Sequence, residues 1–223
     1  MAVQQYLMMG TKSVSRNIIT GELWTWGDNP DGQLGQGDTT NDWDTPTQVG
    51  SLTDWQNTIS AYEYGMCTIK SDGTLWAWGN GGHGRLGLGD TTSRSSPVQV
   101  GSLTDWSEVS ASSTHTSAIK TDGTLWTWGR NNVGQLGQGD YTDRSSPTQV
   151  GSLTDWLHIV HYQGGSFRNL AIKTDGTLWF WGRSVVAADF SSPQQVGSAT
   201  DWTDVIALGD GSSNGWVAAI KKA

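Results

Sequence analysis

An all-β propeller of four antiparallel, four-stranded blades is the fold that this 223-residue sequence predicts. Three observations carry that expectation. The phrase Leu-Trp-x-Trp-Gly recurs at Leu23–Gly27, Leu75–Gly79, Leu125–Gly129 and Leu178–Gly182, with steps of 52, 50 and 53 residues between the first tryptophans. A period of that size marks a propeller, a solenoid or an array. Each period also holds four short strand-like segments, separated by turn residues and free of helical periodicity. Finally, the ends are permuted: the repeats open on a Leu-Trp-x-Trp-Gly strand and finish on the segment that precedes one elsewhere.

Residues 1–14 have no counterpart in the repeat and read as an N-terminal arm, so the propeller spans residues 15–223. The second period shows the elements in order. Leu75–Gly79 is a strand with Trp76 and Trp78 on one face. A glycine-rich loop, residues 80–96, leads to the strand Pro97–Gly101, where proline is tolerated at the first position. Ser102–Asp105 turns into a third strand, Trp106–Ala111, and Ser117–Lys120 is the fourth. Thr121–Thr124 is a hairpin turn, with Asp122-Gly123 supplying the positive φ such a turn wants. The prolines (46, 97, 147, 193), the Asp-Trp pairs (54–55, 105–106, 155–156, 201–202) and the terminal lysines (70, 120, 173, 221) keep register in all four periods. Trp216–Lys221 can pair with Leu23–Gly27, and that pairing is expected to close the ring and remove an exposed edge. The alternative is an open arc completed by a second copy.

Composition narrows the function. A net charge of −8 argues against a nucleic-acid surface, which needs concentrated Lys and Arg. No apolar run approaches a membrane span, so no membrane insertion is expected. Tyr6-Leu7-Met8-Met9 is a poor signal sequence. The single cysteine, Cys67, excludes an intrachain disulfide and reads as a buried, inert thiol. The 14 tryptophans supply buried area for several small cores, and their recurrence inside strands reads as packing rather than a ligand strip.

Gly32–Asp38, Gly84–Asp90 and Gly134–Asp140 read Gly-Gln/Arg-Leu-Gly-x-Gly-Asp. This motif, with the downstream proline and the Asp-Gly turn, resembles the repeat of the RCC1 (regulator of chromosome condensation) type, over roughly residues 15–222. The resemblance implies a β-propeller. The founding member is a seven-bladed nucleotide-exchange factor that also binds nucleosomes; this chain has four repeats and no basic arm, so that activity is not carried over. The wording Gly-Thr-Leu-Trp-x-Trp-Gly also looks like that of compact bacterial and bacteriophage arrays.

No cofactor is expected. The glycine-rich loops lack the Gly-Lys-Ser/Thr ending of a phosphate loop, and read as compact turns plugged by Leu34, Leu86 and Leu136. Asp28–Gly32 has the wrong spacing for an EF-hand. His83, His115, His158 and His161 show no metal-like pairing with a carboxylate or thiol, and no Ser-His-Asp or Cys-His set can be assembled. No catalytic and no metal-binding residue is therefore assigned.

Strand parity places the variation. The glycine-rich loop and the loop between the third and fourth strands must open on one rim; the Ser-Leu-Thr-Asp and Asp-Gly turns open on the other, nearly uniform one. Gly182 to Pro193 is only 11 residues, against 18 or 19 in the other repeats, and the motif is lost there. The companion loops at residues 161–168 and 208–216 are the longest. Loops on a rigid scaffold concentrate binding residues. The expected partner-binding residues are Tyr62, Tyr64, His161, Tyr162, Phe167, Arg168, Asp210 and Trp216. The function expected is that of a non-catalytic structural or recognition module. Its partners would be protein subunits of a larger assembly or a cell-surface ligand, with a homo-oligomer possible. The placement is virion-associated or on an extracellular surface rather than nuclear. A carbohydrate-binding propeller and a regulatory protein-binding domain are the alternatives.

Overall fold

The computed structural model describes residues 19–161, 167–183, 188–209 and 215–222. The strands run β1 (Thr20–Gly21), β2 (Trp24–Gly27), β3 (Trp43–Gln48), β4 (Trp55–Tyr62), β5 (Gly65–Lys70), β6 (Leu75–Gly79), β7 (Arg94–Gln99), β8 (Trp106–Ala111) and β9 (His115–Lys120). They continue as β10 (Leu125–Gly129), β11 (Arg144–Gln149), β12 (Trp156–His161), β13 (Arg168–Lys173), β14 (Leu178–Gly182), β15 (Phe190–Gln195), β16 (Trp202–Gly209) and β17 (Gly215–Lys221). All pairings are antiparallel.

The structural blade is offset from the sequence period by two strands. A blade starts on the Asp-Trp strand, passes through the Lys-terminated strand and the Leu-Trp-x-Trp-Gly strand, and ends on the proline strand. Three blades are complete: β4-β5-β6-β7, with β1 added beside β4, then β8-β9-β10-β11, then β12-β13-β14-β15. The remaining four strands form two half-blades, β2-β3 and β16-β17. The expected closure through 216–221 and 23–27 is therefore not made: β17 and β2 belong to separate sheets. The physical reason lies between the blades. In the three complete blades the second tryptophan of the Leu-Trp-x-Trp-Gly strand seats on the glycine-rich loop of the preceding repeat, whereas the fourth repeat lacks that motif and Trp26 is left 58% exposed, so nothing among the described residues draws the last half-blade onto the first.

Each junction is a small apolar core. The one between the first two complete blades gathers Ile69, Leu75, Leu86, Val100, Trp106, Val109, Ala118 and Trp128, and Cys67 is buried in it. Burial pushes the Cys67 thiol up to about 12, so it stays protonated. The next junction gathers Ile119, Leu125, Val150, Trp156, Ile159 and Trp181. The glycine-rich motif builds these junctions. The Trp128 indole N–H donates to the Arg85 carbonyl at 3.0 Å, as Trp78 does to Gln33 and Trp181 to Gln135. A Cβ on Gly87 would lie 2.7 Å from that Trp128 nitrogen. The motif's second glycine thus makes room for the neighbour's ring, in addition to allowing its own φ of +75°.

The uniform rim is also built from junctions. Trp106 N–H donates to the Gly73 carbonyl, and Trp156 N–H to that of Gly123, at 3.2 and 3.1 Å. Gly123 has φ +78°, and a Cβ there would meet the Thr154 carbonyl oxygen at 2.1 Å; Gly151, at φ +60°, has nothing within 4 Å. Gly151→Ala is expected to cost about 1 kcal/mol of left-handed strain, and Gly123→Ala about 2–3 kcal/mol, because backbone must also move. Urea midpoints of the two variants check the difference; equal losses would show that the junction yields freely.

Candidate functional site

The second rim gathers the loops that parity assigns to it. Asn80 N–H donates to the Tyr64 carbonyl, Arg130 N–H to Thr114 and Arg183 N–H to Phe167, so in each complete blade the loop after the Leu-Trp-x-Trp-Gly strand is tied to the hairpin loop of the same blade. Longer side chains then cross to the neighbouring blade. Asn80 Nδ2 donates to Asp31 Oδ1 at 2.7 Å. Arg85 Nη1 donates to the Ser113 carbonyl, and Thr116 Oγ1 donates to the Arg85 carbonyl at 2.9 Å. The Arg130 guanidinium lies 5.4 Å from the centre of the Phe167 ring.

Tyr62 and Tyr64 sit at the β4–β5 hairpin of the first complete blade. Tyr62 is half-buried, and its hydroxyl is shielded from solvent without a protein partner among the described residues. Burial pushes its pKa upward, so it remains a neutral phenol. The Tyr64 ring is 5.8 Å from the Arg85 guanidinium. Arg85 stands where the other two motifs carry Gln33 and Gln135. Burial lowers its pKa, but guanidinium stays charged at any physiological pH. The rim thus presents Tyr64, Arg130 and Phe167, all half-buried, over a buried Arg85. Aromatic and arginine side chains of this kind are the anchors of protein interfaces.

Not every expected site residue lies on that surface. His161 and Arg168 are buried. Arg168 Nε donates to the Arg183 carbonyl at 3.0 Å, bracing the base of a loop. The His161 imidazole stacks on His115 with ring centres 4.4 Å apart, and its Nε2 lies 2.8 Å from Ser117 Oγ. Both residues are corrected from partner contacts to junction residues: as the last residue of β12 and the first of β13, they face the neighbouring blade and loop. Tyr162 and Asp210 lie outside the described residues, as does the side chain of Trp216, whose backbone pairs with Leu208.

Two of the four histidines do find carboxylates, which their sequence spacing concealed. His158 Nδ1 is 2.6 Å from Glu108 Oε1, and His83 Nδ1 is 3.0 Å from Asp143 Oδ2. The partners stand 50 and 60 positions apart, roughly one repeat, and meet across blade junctions. Among the described residues no group of three or more His, Cys, Asp or Glu side chains could hold a metal ion. Asn169 was missed altogether. Its Oδ1 accepts from His115 Nε2 at 2.7 Å, and its Nδ2 donates to the Gln135 carbonyl at 2.7 Å. Its place directly after the variable loop 161–168 was the available signal.

Comparison with known proteins bears on this geometry. The sequence profile for the regulator of chromosome condensation (RCC1) repeat matches residues 20–61, 72–119 and 122–172, and a second RCC1 repeat profile matches residues 106–135. The mitochondrial RCC1 domain-containing protein RUG3 of Arabidopsis thaliana is 35% identical over 86 residues, 38% of this chain and 19% of the relative. The Arabidopsis thaliana ultraviolet-B receptor UVR8 is 37% identical over 83 residues, 37% of this chain and 19% of the relative. The match therefore spans about a fifth of each of these curated relatives. Human WBSCR16 superposes on the whole of this chain with a TM-score of 0.74, at 19% identity and over 61% of its own length. Prp20p of Saccharomyces cerevisiae, described with its binding to Gsp1p and histones, superposes on 97% of this chain with a TM-score of 0.72, at 17% identity and over 58% of its own length. Those structural likenesses concern the fold.

Proposed function

This chain belongs to the family of RCC1 (regulator of chromosome condensation) repeat proteins, and from that premise we propose that it is a non-catalytic protein-binding module that docks through its loop-bearing rim. The observation that carries the reading is the contrast between the rims. One repeats the same Asp-Gly and Ser-Leu-Thr-Asp turns. The other differs from blade to blade and presents Tyr64 beside Arg85, and Phe167 beneath Arg130. A relative named as a probable E3 ubiquitin-protein ligase, and a structural neighbour described by its binding to Gsp1p and histones, support recognition of protein by this architecture.

The finer reading is a structural component of a particle or surface assembly, virion-associated or extracellular. Two features support it: a net charge of −8, unsuited to nucleic acid, and repeat wording similar to bacterial and bacteriophage arrays. Co-purification of the chain with a particle from its native source tests it. Tyr64→Ala, Arg130→Ala and Phe167→Ala together are expected to reduce that co-purification at least about tenfold, the loss of one hot-spot contact. Leu103→Ala and Leu153→Ala, on the uniform rim, are expected to leave it unchanged. Equal retention by both sets would defeat the rim assignment. Saturable binding of a glycan by the isolated chain would favour a carbohydrate-binding module instead.

A further inference from the structure

We propose that the two half-blades are the two sides of one junction in trans: β17 of one copy pairs with β2 of a second copy, completing a four-stranded blade from two chains. The chain displays the complement of each exposed edge on itself, and it shows three times how the halves join. In the complete blades the Lys-terminated strand pairs with the Leu-Trp-x-Trp-Gly strand in one fixed register: Leu125 faces Ile119, Trp126 faces Ala118 and Thr127 faces Ser117. The other two blades repeat it, with Leu75 facing Ile69 and Leu178 facing Ile172. Carried to the half-blades, the register sets Leu23 opposite Ile220, Trp24 opposite Ala219 and Thr25 opposite Ala218 of the other copy.

Side chains at both edges stand in the state that this pairing would finish. Ile69, Ile119 and Ile172 are at most 2% exposed, whereas their equivalent Ile220 is 61% exposed. Trp78, Trp128 and Trp181 are fully buried, whereas Trp26 is 58% exposed. The lysine is the most telling. Lys70, Lys120 and Lys173 each lie over two indole rings, one from the Asp-Trp strand and one from the Leu-Trp-x-Trp-Gly strand. Their side chains are 6–8% exposed. Lys221 is paired with Asp201 at 3.2 Å and lies over Trp202, but its side chain is 45% exposed and no second ring lies over it among the described residues. The register supplies that ring as Trp24. It also brings Glu22, which stands where the other repeats carry threonine at 74, 124 and 177, next to Lys221.

The chain's own N-terminal segment does not occupy this edge among the described residues, because β1 pairs with β4: Thr20 faces Gln56 and Gly21 faces Trp55. A join that uses different patches on the two partners closes only if the rotation closes. Two arcs joined at both ends give three complete blades from each copy and one composite blade at each junction, eight in all, at the top of the usual propeller range. The fourth repeat lacks the Gly-Gln-Leu-Gly loop that receives the tryptophan at the other junctions. Strand pairing and the Lys221–Trp24 contact therefore carry this one, and it is expected to dissociate on dilution.

Light scattering of the full chain, with a disulfide trap, tests the proposal. The wild-type chain is expected at twice 24.0 kDa. Ile220→Lys and, separately, Trp24→Ala are expected to shift it to a single chain with an unchanged far-ultraviolet circular dichroism spectrum, because both side chains are already solvent-exposed in the single chain. A Thr25→Cys/Ala218→Cys chain, oxidised, is expected to run as a covalent dimer; buried Cys67 does not compete. Three results would overturn the proposal: a monomeric mass at every concentration, a disulfide formed within one chain, or a dimer that neither substitution dissociates and the cysteine pair does not trap.

Discussion

Trp128→Ala is expected to remove about 3–5 kcal/mol of folding stability, the range for deleting a large aromatic side chain from a core. Trp128 is fully buried at a blade junction, with its ring centre 6.1 Å from that of Trp106. Its indole N–H holds the Arg85 carbonyl at 3.0 Å, so truncation leaves that acceptor without its donor as well as opening a cavity. Trp26 occupies the same place in the first repeat but lies on an unfinished edge. In the Ile220→Lys background, which keeps the chain single, Trp26→Ala is expected to change stability by less than about 1 kcal/mol. Urea unfolding followed by tryptophan fluorescence and circular dichroism measures both. Equal losses would mean that Trp26 is packed in the single chain in solution, and that the arc is not open.

Acid is expected to unfold the protein from the junction between the second and third complete blades. Burial pushes the His115 imidazole down to about 4, against a smaller upward pull from its hydrogen bond to Asn169. His161 is also lowered well below its ordinary value, first by burial and then by repulsion from a charged His115. The sign follows from linkage. In the unfolded chain both rings take up protons as pH falls through about 6.5, while the folded chain refuses them. Stability is thus fully present above about pH 6.5 and declines as pH drops. The His115 contribution, on the order of 3 kcal/mol for such a shift, is spent once pH falls below about 4. The turn carboxylates Asp72 and Asp122, held below the usual carboxylate range by hydrogen bonds from Thr74 and Thr124, act lower still. Urea-derived stabilities between pH 7.5 and 4.5 should fall more steeply than those of a His161→Leu variant, which has one buried imidazole fewer. Superposable slopes would show that the pair is hydrated.

The two stacked histidines illustrate what spacing conceals. His115 and His161 are 46 positions apart, short of the 50 to 53 of one repeat, and so are equivalent neither by period nor by strand position. They meet because His115 opens the second strand of one blade and His161 closes the first strand of the next. The same holds for His158 with Glu108, and for Arg85 with the Ser113 carbonyl. Periodicity reports which residues share a role within a blade. It is silent about which different roles touch across a junction. For that reason His161 and Arg168, chosen for their place beside a variable loop, turned out to be interior, while Arg130 beside Phe167 went unnoticed.

The local elements were legible because each has a local cause. Alternation in Leu-Trp-x-Trp-Gly makes a strand, Asp-Gly makes its hairpin, and antiparallel parity assigns every loop to one rim or the other. The repeat count, the order of the strands and the family likeness therefore follow from the order of residues alone, whereas the proline strand starts earlier than expected, at Arg94 rather than Pro97, and the Lys-terminated strand at His115 rather than Ser117. Only the tertiary structure decided where a blade begins, which histidines are buried and whether the ring closes. Those depend on the angle between neighbouring blades, set by how an indole seats against the glycine of the preceding loop. No single segment encodes that angle, and the three seated indoles leave the chain as an arc with an unpaired strand edge at each end among the described residues.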